Sequence, residues 1–540
     1  MTVPGCQGTR VPRGTGARVL GLVLAATVST FCSRQSDAPA ATTLVVAVGS
    51  DPGALNPAVT TSGSTHPITD QIFNGLVGLD EQLQPIPELA ERWTVEEGGR
   101  TYRFALRPGV TWHDGAPFTS ADVKFTFEQA LLKYHSRTRA ALEGLLETVD
   151  TPDNLTAVFR LKRPYGPLLQ RLDVVEASII PKHQYDGHDL LRGEPTRRPI
   201  GTGPFRFVSY STSDRIVLER NQTYFRQGVP GIDRLVFRIL PNAASAVAAL
   251  ESGEVDYTVS VPGPDIPRLQ RTPGIAVVKS AGGSGGSACQ EVLIPNLTRR
   301  PLTDLRVRRA IAHAIDRDFI AERVYFGQGQ PATGPISRLI PWAYTPDIRQ
   351  YPHDPAKARK LLDDAGVKAN ANGERFAVTF THGANQQRLG QALREQLKGV
   401  GITLHLEMLD FNAAVERVFV KKTFDLGLAS FCNGADPEIG VRRVYVSSNI
   451  GPYPFSNGAS YRNATIDALF DAAAQHVEKD QRREKYIEIQ RILAEDVPYF
   501  WLIDSETLRA HRRTFSGFRL WTGAFAETVR PVAASEPSGR

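Results

Sequence analysis

Stretches with the two-residue rhythm of a strand and stretches with the 3.6-residue rhythm of a helix alternate along nearly all of this chain. LVVAV (44–48) is a strand-like apolar run closed by the turn-rich GSDPGALNP. ITDQIFNGLVGLD then spaces Ile68, Ile72 and Leu76 as a helix would, and RTYRFALRPG alternates Tyr102, Phe104 and Leu106 on one face. Thr119 and Asp122 form a capping-box start for a helix that aligns Val123, Phe127 and Ala130. DPAKARKLLDDAG supplies an N-cap (Asp354), a proline at the first helical position (Pro355) and a terminal glycine (Gly366). DLRVRRAIAHAID and DQRREKYIEIQRILAED repeat the amphipathic pattern before VPYFWLI returns to strand character. Interleaving of this kind predicts an α/β protein with mixed sheets. At 540 residues the chain is too long for one core, so several domains are expected.

Charge narrows the class. A net charge of +6, with Lys and Arg scattered among Asp and Glu, forms no basic stripe, so no nucleic-acid partner is expected. Arg10, Arg13 and Arg18 precede the apolar run VLGLVLAATV and the small-residue stretch STFCSRQSDAPAATT, the order of an export signal over residues 1–41. Two processing routes are open: cleavage near Ala38 to Ala41, or lipid attachment at Cys32, with Phe31 where a small residue would be favoured. Only Cys289 and Cys432 then remain in the folded part. In an oxidising compartment they are expected to form a disulfide, with two buried thiols as the alternative. No metal-ligand spacing is present and no cofactor is expected.

Catalytic patterns fail on context. Gly282 to Gly286 match G-x-S-x-G around Ser284, but the following ACQEVLIPNL reads as a strand where a nucleophile elbow needs a helix. His113 and Asp114 are chain neighbours, pointing apart in a turn sequence, and no third partner can be placed. An exported α/β protein without a catalytic constellation reads as a binding protein and not as an enzyme.

QIFNGLVGLD through PELAERWTVEEGGRTYRFALRPGVTWHDGAPFTSADVKFTFEQA closely resembles the solute-binding proteins of ABC importers, in their large peptide, opine and nickel-binding family. RPIGTGPFRFVSY (198–210), ERNQTYF (219–225), RPLTDLRVRRAIAHAIDRDFI (300–320), DPAKARKLLDDAG and LAEDVPYFWL resemble further blocks in the same order. The resemblance implies a type II periplasmic-binding-protein-like fold of two lobes with a hinge. Domain I is expected over 42–82, 196–278 and 503–535, an inserted domain II over 83–195 and domain III over 279–502. Glycine-rich crossings at Gly201–Gly203 and 281–286 would serve as hinges. The implied role is capture of a peptide or opine-type solute, as a monomer, for delivery to a membrane permease. A nickel- or haem-chelate receptor and an exported peptide hydrolase are the alternatives.

In peptide-binding relatives an Asp in the loop matching SFCNGADPEIG (430–440) takes the ligand's amino group. Counting back from Asp-Pro, that position is Asn433, and Asp436 is a second acid position beside the proline, where an acid also caps a turn or a helix begun by EIGVRRVY. An amide in place of a carboxylate weakens the contact by roughly 1–2 kcal/mol. Thr61, Ser62, Gly63 and Ser64 match a segment whose backbone and hydroxyls face the ligand. The carboxylate-binding Arg of dipeptide binders has no aligned counterpart, leaving His382 and Arg388 in FTHGANQQR as candidates.

Overall fold

A computed structural model describes residues 42–60, 62–280, 289–383, 386–452 and 455–532. Thr61, Ser284, Cys32 with the rest of the leader, and the glycine-rich segment 281–286 lie outside the described residues.

Three sheets organise the molecule. The largest has seven strands, in the order Ile275–Ser280, Thr507–Arg512, Tyr257–Thr258, Thr43–Val48, Arg234–Ile239, Arg215–Arg220, Phe205–Ser211. Its centre is parallel, Thr43 lying opposite Arg234 and Val48 opposite Ile239, while its flanks are antiparallel. A four-stranded antiparallel sheet, Ala90–Glu96, Thr101–Leu106, Thr156–Leu161, Leu146–Asp153, lies between the first and second strands of that sheet in sequence. Its inward residues follow the alternation of RTYRFAL: Phe104 and Phe127 meet Phe159 edge-on at 5.4 and 4.7 Å. One core, with Leu44, Val46, Phe104, Phe159 and Phe237, runs through both sheets.

The third sheet has six strands: Gly329–Pro331, Phe500–Ser505, Cys289–Pro295, Leu426–Cys432, Phe376–Gly383, Ile402–Leu409. Alternate residues of its central strands enter two different cores. Val292, Ile294, Phe431 and Trp501 pack on one side, and Leu293, Phe380, Leu428 and Leu502 on the other. A sheet covered on both faces needs apolar residues at consecutive positions, hence the unbroken runs VLIP and FWLI. The chain passes between the seven- and six-stranded sheets at 280–289 and again at 505–507.

Local signals account for several elements. Asp354 accepts the Lys357 backbone N–H at 2.9 Å and starts helix Pro355–Asp364. The Thr119 backbone N–H donates to Asp122 at 2.9 Å, closing the capping box. One expectation is corrected: the helix read through Ile68, Ile72 and Leu76 spans only His66–Thr69, and Val77–Leu79 is a strand. Ile68, Ile72, Phe73 and Leu76 are all fully buried, so their spacing reflects burial on every side and does not report a helical face. Gly75 ends the turn against the Leu172 backbone, where an added Cβ would lie 2.4 Å from its carbonyl oxygen.

Gly201 and Gly203, just before strand Phe205–Ser211, are both buried against the backbone of Ile72, and a Cβ on Gly201 would stand 1.8 Å from the Ile72 carbonyl oxygen. Glycine is required there for close approach of two backbones.

Candidate functional site

Strand Leu426–Cys432 runs antiparallel to Cys289–Pro295 with Cys432 opposite Cys289, and the two sulfurs are bonded. The disulfide holds the chain at the point where the strand ends and the loop Asn433–Asp436 begins. Gly434 takes φ +63°, the left-handed region that suits glycine. Asn433 is 2% exposed, and its side chain makes no hydrogen bond with any described residue.

Asp436 takes the capping role that an acid before a proline suggests. It is fully buried and caps helix Pro437–Gly440, accepting the Glu438 backbone N–H at 2.9 Å. The same oxygen accepts the Tyr486 hydroxyl at 3.2 Å, and the second oxygen meets the Arg482 guanidinium at 2.5 Å. Burial works against the Arg482 charge, but Asp436 more than offsets this and the guanidinium holds its proton more tightly than usual. Arg482 also lies 5.2 Å from the centre of the Trp342 ring, whose indole N–H donates to the Ala435 carbonyl at 3.2 Å. Asp436 therefore braces the loop from inside.

A set of arginines that sequence reading missed gathers beside this loop. Arg171, from segment Gly166–Arg171 beside the seven- and four-stranded sheets, donates across to the Glu438 carbonyl at 3.0 Å and to the Tyr165 hydroxyl at 2.7 Å. Arg137 pairs with Glu176 at 3.0 Å. Arg443, on helix Arg442–Tyr445, donates to the Gly440 carbonyl at 3.2 Å, and Gly440 packs on the backbone of Asn433. Among the described residues Arg443 forms no ion pair. Burial, followed by the nearby Arg137 and Arg171 charges, brings its pKa down to about 10. Glu438 moves the other way: burial pushes its carboxyl up to about 7 despite Arg442 and Arg171. An excess of guanidinium charge, withdrawn from water and incompletely neutralised, is an arrangement that favours an incoming carboxylate.

The segment Ser62, Gly63, Ser64 leads towards the same place. The Ser62 and Ser64 hydroxyls share a 2.7 Å hydrogen bond. His66, just beyond, is buried; it contacts Asp70 at 3.0 Å and the Thr60 carbonyl at 3.1 Å. Burial opposes its proton, Asp70 restores it, and the field of Arg137 reaches it, so this segment and the arginine group are electrostatic neighbours.

On the other half of the molecule, Tyr325, His382, Arg388, Phe419, Ser430 and Phe455 line a cavity of about 650 Å³, within the range for small-molecule sites. His382 stacks on Phe380 with ring centres 5.2 Å apart, and one ring nitrogen contacts the Gly383 carbonyl at 2.8 Å. Arg388 lies over the Phe326 ring at 5.2 Å.

His113 is not placed for acid–base work. One ring nitrogen accepts the Gly201 backbone N–H at 3.2 Å and the other donates to the Gly203 carbonyl at 3.0 Å, while Asp114 pairs with His183 at 2.7 Å. Among the described residues no group of three or more His, Cys, Asp or Glu could hold a metal ion, and no helix is long and apolar enough to cross a membrane.

With this geometry in hand, similarity to known proteins is specific. The family described as bacterial extracellular solute-binding proteins, family 5 Middle, matches residues 84–452. The glutathione-binding protein GsiB of Pectobacterium atrosepticum is 26% identical over 485 residues, 89% of this chain and 92% of its own. The periplasmic binding protein DppA of Helicobacter pylori, solved in complex with the peptide STSA, superposes with a TM-score of 0.77 at 25% identity, covering 91% of this chain and 98% of that one. The oligopeptide-binding protein AppA of Bacillus subtilis, solved with a nonapeptide, gives 0.75 at 26% identity over 91% of this chain and 99% of its own.

Proposed function

The chain belongs to the bacterial extracellular solute-binding proteins of family 5, and from that premise we propose that it captures a peptide or peptide-like solute carrying a carboxylate and delivers it to the permease of an ABC importer. Its fold is that of the type II periplasmic binding proteins. The observation that carries the reading is Arg443, a half-buried guanidinium without a carboxylate partner among the described residues, set beside Arg137, Arg171 and the Asn433 loop. Relatives named for glutathione and neighbours solved with peptides support a ligand of this class.

In this reading the parts divide as the strands do. Domain I carries the seven-stranded sheet, domain II is the insert around the four-stranded sheet, and domain III carries the six-stranded sheet and the Asn433 loop. The chain crossing at 505–507 acts as a hinge, and closure removes the ligand from water, which strengthens each polar contact. Asn433 accepts from the ligand amino group and the arginines receive its carboxylate. The protein is exported by its leader, released by cleavage near Ala41 or tethered through Cys32, and acts as a monomeric receptor and not as an enzyme.

Isothermal titration with di- and tripeptides and their C-terminal amides tests this. Wild type is expected to bind free-acid peptides at least tenfold more tightly than the amides, and Arg443→Met to remove that preference. Turnover of the peptides, or binding of none of them, overturns the reading.

A further inference from the structure

The cavity on the six-stranded half contains a carboxylate that the reading above does not use. Glu291 sits in the interior strand Cys289–Pro295, opposite Ser430, and lines the cavity of about 650 Å³. Interior glutamates elsewhere in this protein follow one rule. The buried residues Glu88, Glu176, Glu438 and Glu527 each have an arginine: Arg226, Arg137, Arg442 and Arg226 again. Glu291, half-buried on the cavity wall, differs from them. No Lys, Arg or His pairs with it among the described residues, and its hydrogen-bond partners are the hydroxyls of Ser430 and Tyr325.

Two hydroxyls leave part of a carboxylate's capacity unmet, since an ionised carboxylate accepts about four hydrogen bonds. The other charged groups on the cavity wall are Arg388, which lies over the Phe326 ring, and Asp410. Neither is ion-paired with Glu291. The pairing of its strand with Phe500–Ser505 shifts register between Glu291 and Val292, with Leu502 of the partner strand as the extra residue. A sheet that covers both faces with apolar residues and yet presents one carboxylate to a cavity of ligand size has a subsite in place of a packing position.

We propose that Glu291, with Ser430 and Tyr325, forms a subsite in this cavity for a cationic group of the bound solute, an ammonium or a guanidinium. The inference rests on the peptide-receptor reading and adds a ligand preference to it: solutes carrying a basic side chain in addition to their termini. The incoming cation supplies the counter-charge that Glu291 lacks within the protein's described residues, and the cavity accommodates its aliphatic stem against Phe419 and Phe455.

The test compares Lys-Ala-Ala, Ala-Lys-Ala and Ala-Ala-Lys with the same peptides carrying Nε-acetyl-lysine, which keeps the side-chain length and removes the charge. Titration calorimetry is run on the full exported chain. For at least one position, wild type is expected to bind the lysine peptide tenfold or more tightly than its acetylated form. Glu291→Gln, close to the same shape, removes the difference and leaves binding of the acetylated peptide unchanged. Ser430→Lys, a second variant, places the protein's own ammonium against Glu291 and also removes it. Equal binding of charged and acetylated peptides by wild type overturns the subsite and leaves the receptor reading standing. So does a lysine preference that survives both substitutions. Failure of every peptide, charged or neutral, to bind overturns the receptor reading and the subsite together.

Discussion

Asp436→Ala separates bracing from binding. Asp436 and Arg482 have side-chain exposures of 0% and 1% and meet at 2.5 Å. Removing the acid leaves a guanidinium in the interior without its counter-charge, a loss of about 3–5 kcal/mol. The same substitution removes the cap of helix Pro437–Gly440, at about 1 kcal/mol. The total, about 4–6 kcal/mol, is a large fraction of the ~5–15 kcal/mol by which a folded domain is stable. Equilibrium urea unfolding at pH 7 reads the loss. Asp436→Asn retains the cap and is expected to recover about 1 kcal/mol of it. Asp436→Ala combined with Arg482→Met is expected to be less damaging than Asp436→Ala alone, because no uncompensated charge remains, with a coupling energy of about 2 kcal/mol or more across the cycle. A destabilisation below about 1 kcal/mol with loss of peptide binding would refute the reasoning and return Asp436 to the ligand-facing role its place in the loop suggests.

Three further outcomes follow from packing and protonation. Reducing the Cys289–Cys432 disulfide, which links positions 143 apart, is expected to cost up to about 5 kcal/mol on chain-entropy grounds; urea midpoints that coincide with and without reductant would contradict this. Gly201→Ala drives a methyl to 1.8 Å from the Ile72 carbonyl oxygen and should destabilise by at least about 1–3 kcal/mol. Gly49→Ala, with nothing within 4 Å of the added Cβ, stays within about 0.5 kcal/mol, and equal effects of the two would reject the close-approach argument. His113, brought down by burial to about 4, binds its proton more weakly than the unfolded imidazole near 6.5. Its contribution is therefore fully present above pH 6.5 and is lost as pH falls towards 4, by roughly 3 kcal/mol. Asp173 and Glu438, raised by burial to about 7, act with the opposite sign over an overlapping range. The difference between wild type and His113→Gln isolates the histidine, and parallel stability–pH curves would rule its contribution out.

Signals confined to a few neighbouring residues carried over into the structure well. Asp354 with Pro355, and Thr119 with Asp122, start helices because a cap is a contact between residues two or three apart. The alternation of Tyr102, Phe104 and Leu106 survives because its sheet buries one face more than the other. Spacing lost its meaning where burial is complete. Ile68, Ile72 and Leu76 satisfy a helical pattern but belong to a short helix, a turn and the approach to a strand, all inside the core.

The site divides along the same line. The Asn433 loop and the cap at Asp436 were legible because the loop follows a strand and keeps its glycine and Asp-Pro, but the ion pair of Asp436 was not, since its partner Arg482 lies 46 positions away on another helix. Arg137, Arg171 and Arg443 carried no signal at all: each stands in an ordinary polar stretch, and only the fold brings their charges together. The same holds for Glu291, one acid in an apolar strand, which becomes informative only when it is seen to have no ion-pair partner among the described residues. A residue whose chemistry depends on what the chain brings near it is therefore weighed by its partners. Here that criterion sets Asp436 among the residues that hold the loop, and it underlies the proposal that Arg443 and Glu291 offer their charges to a ligand.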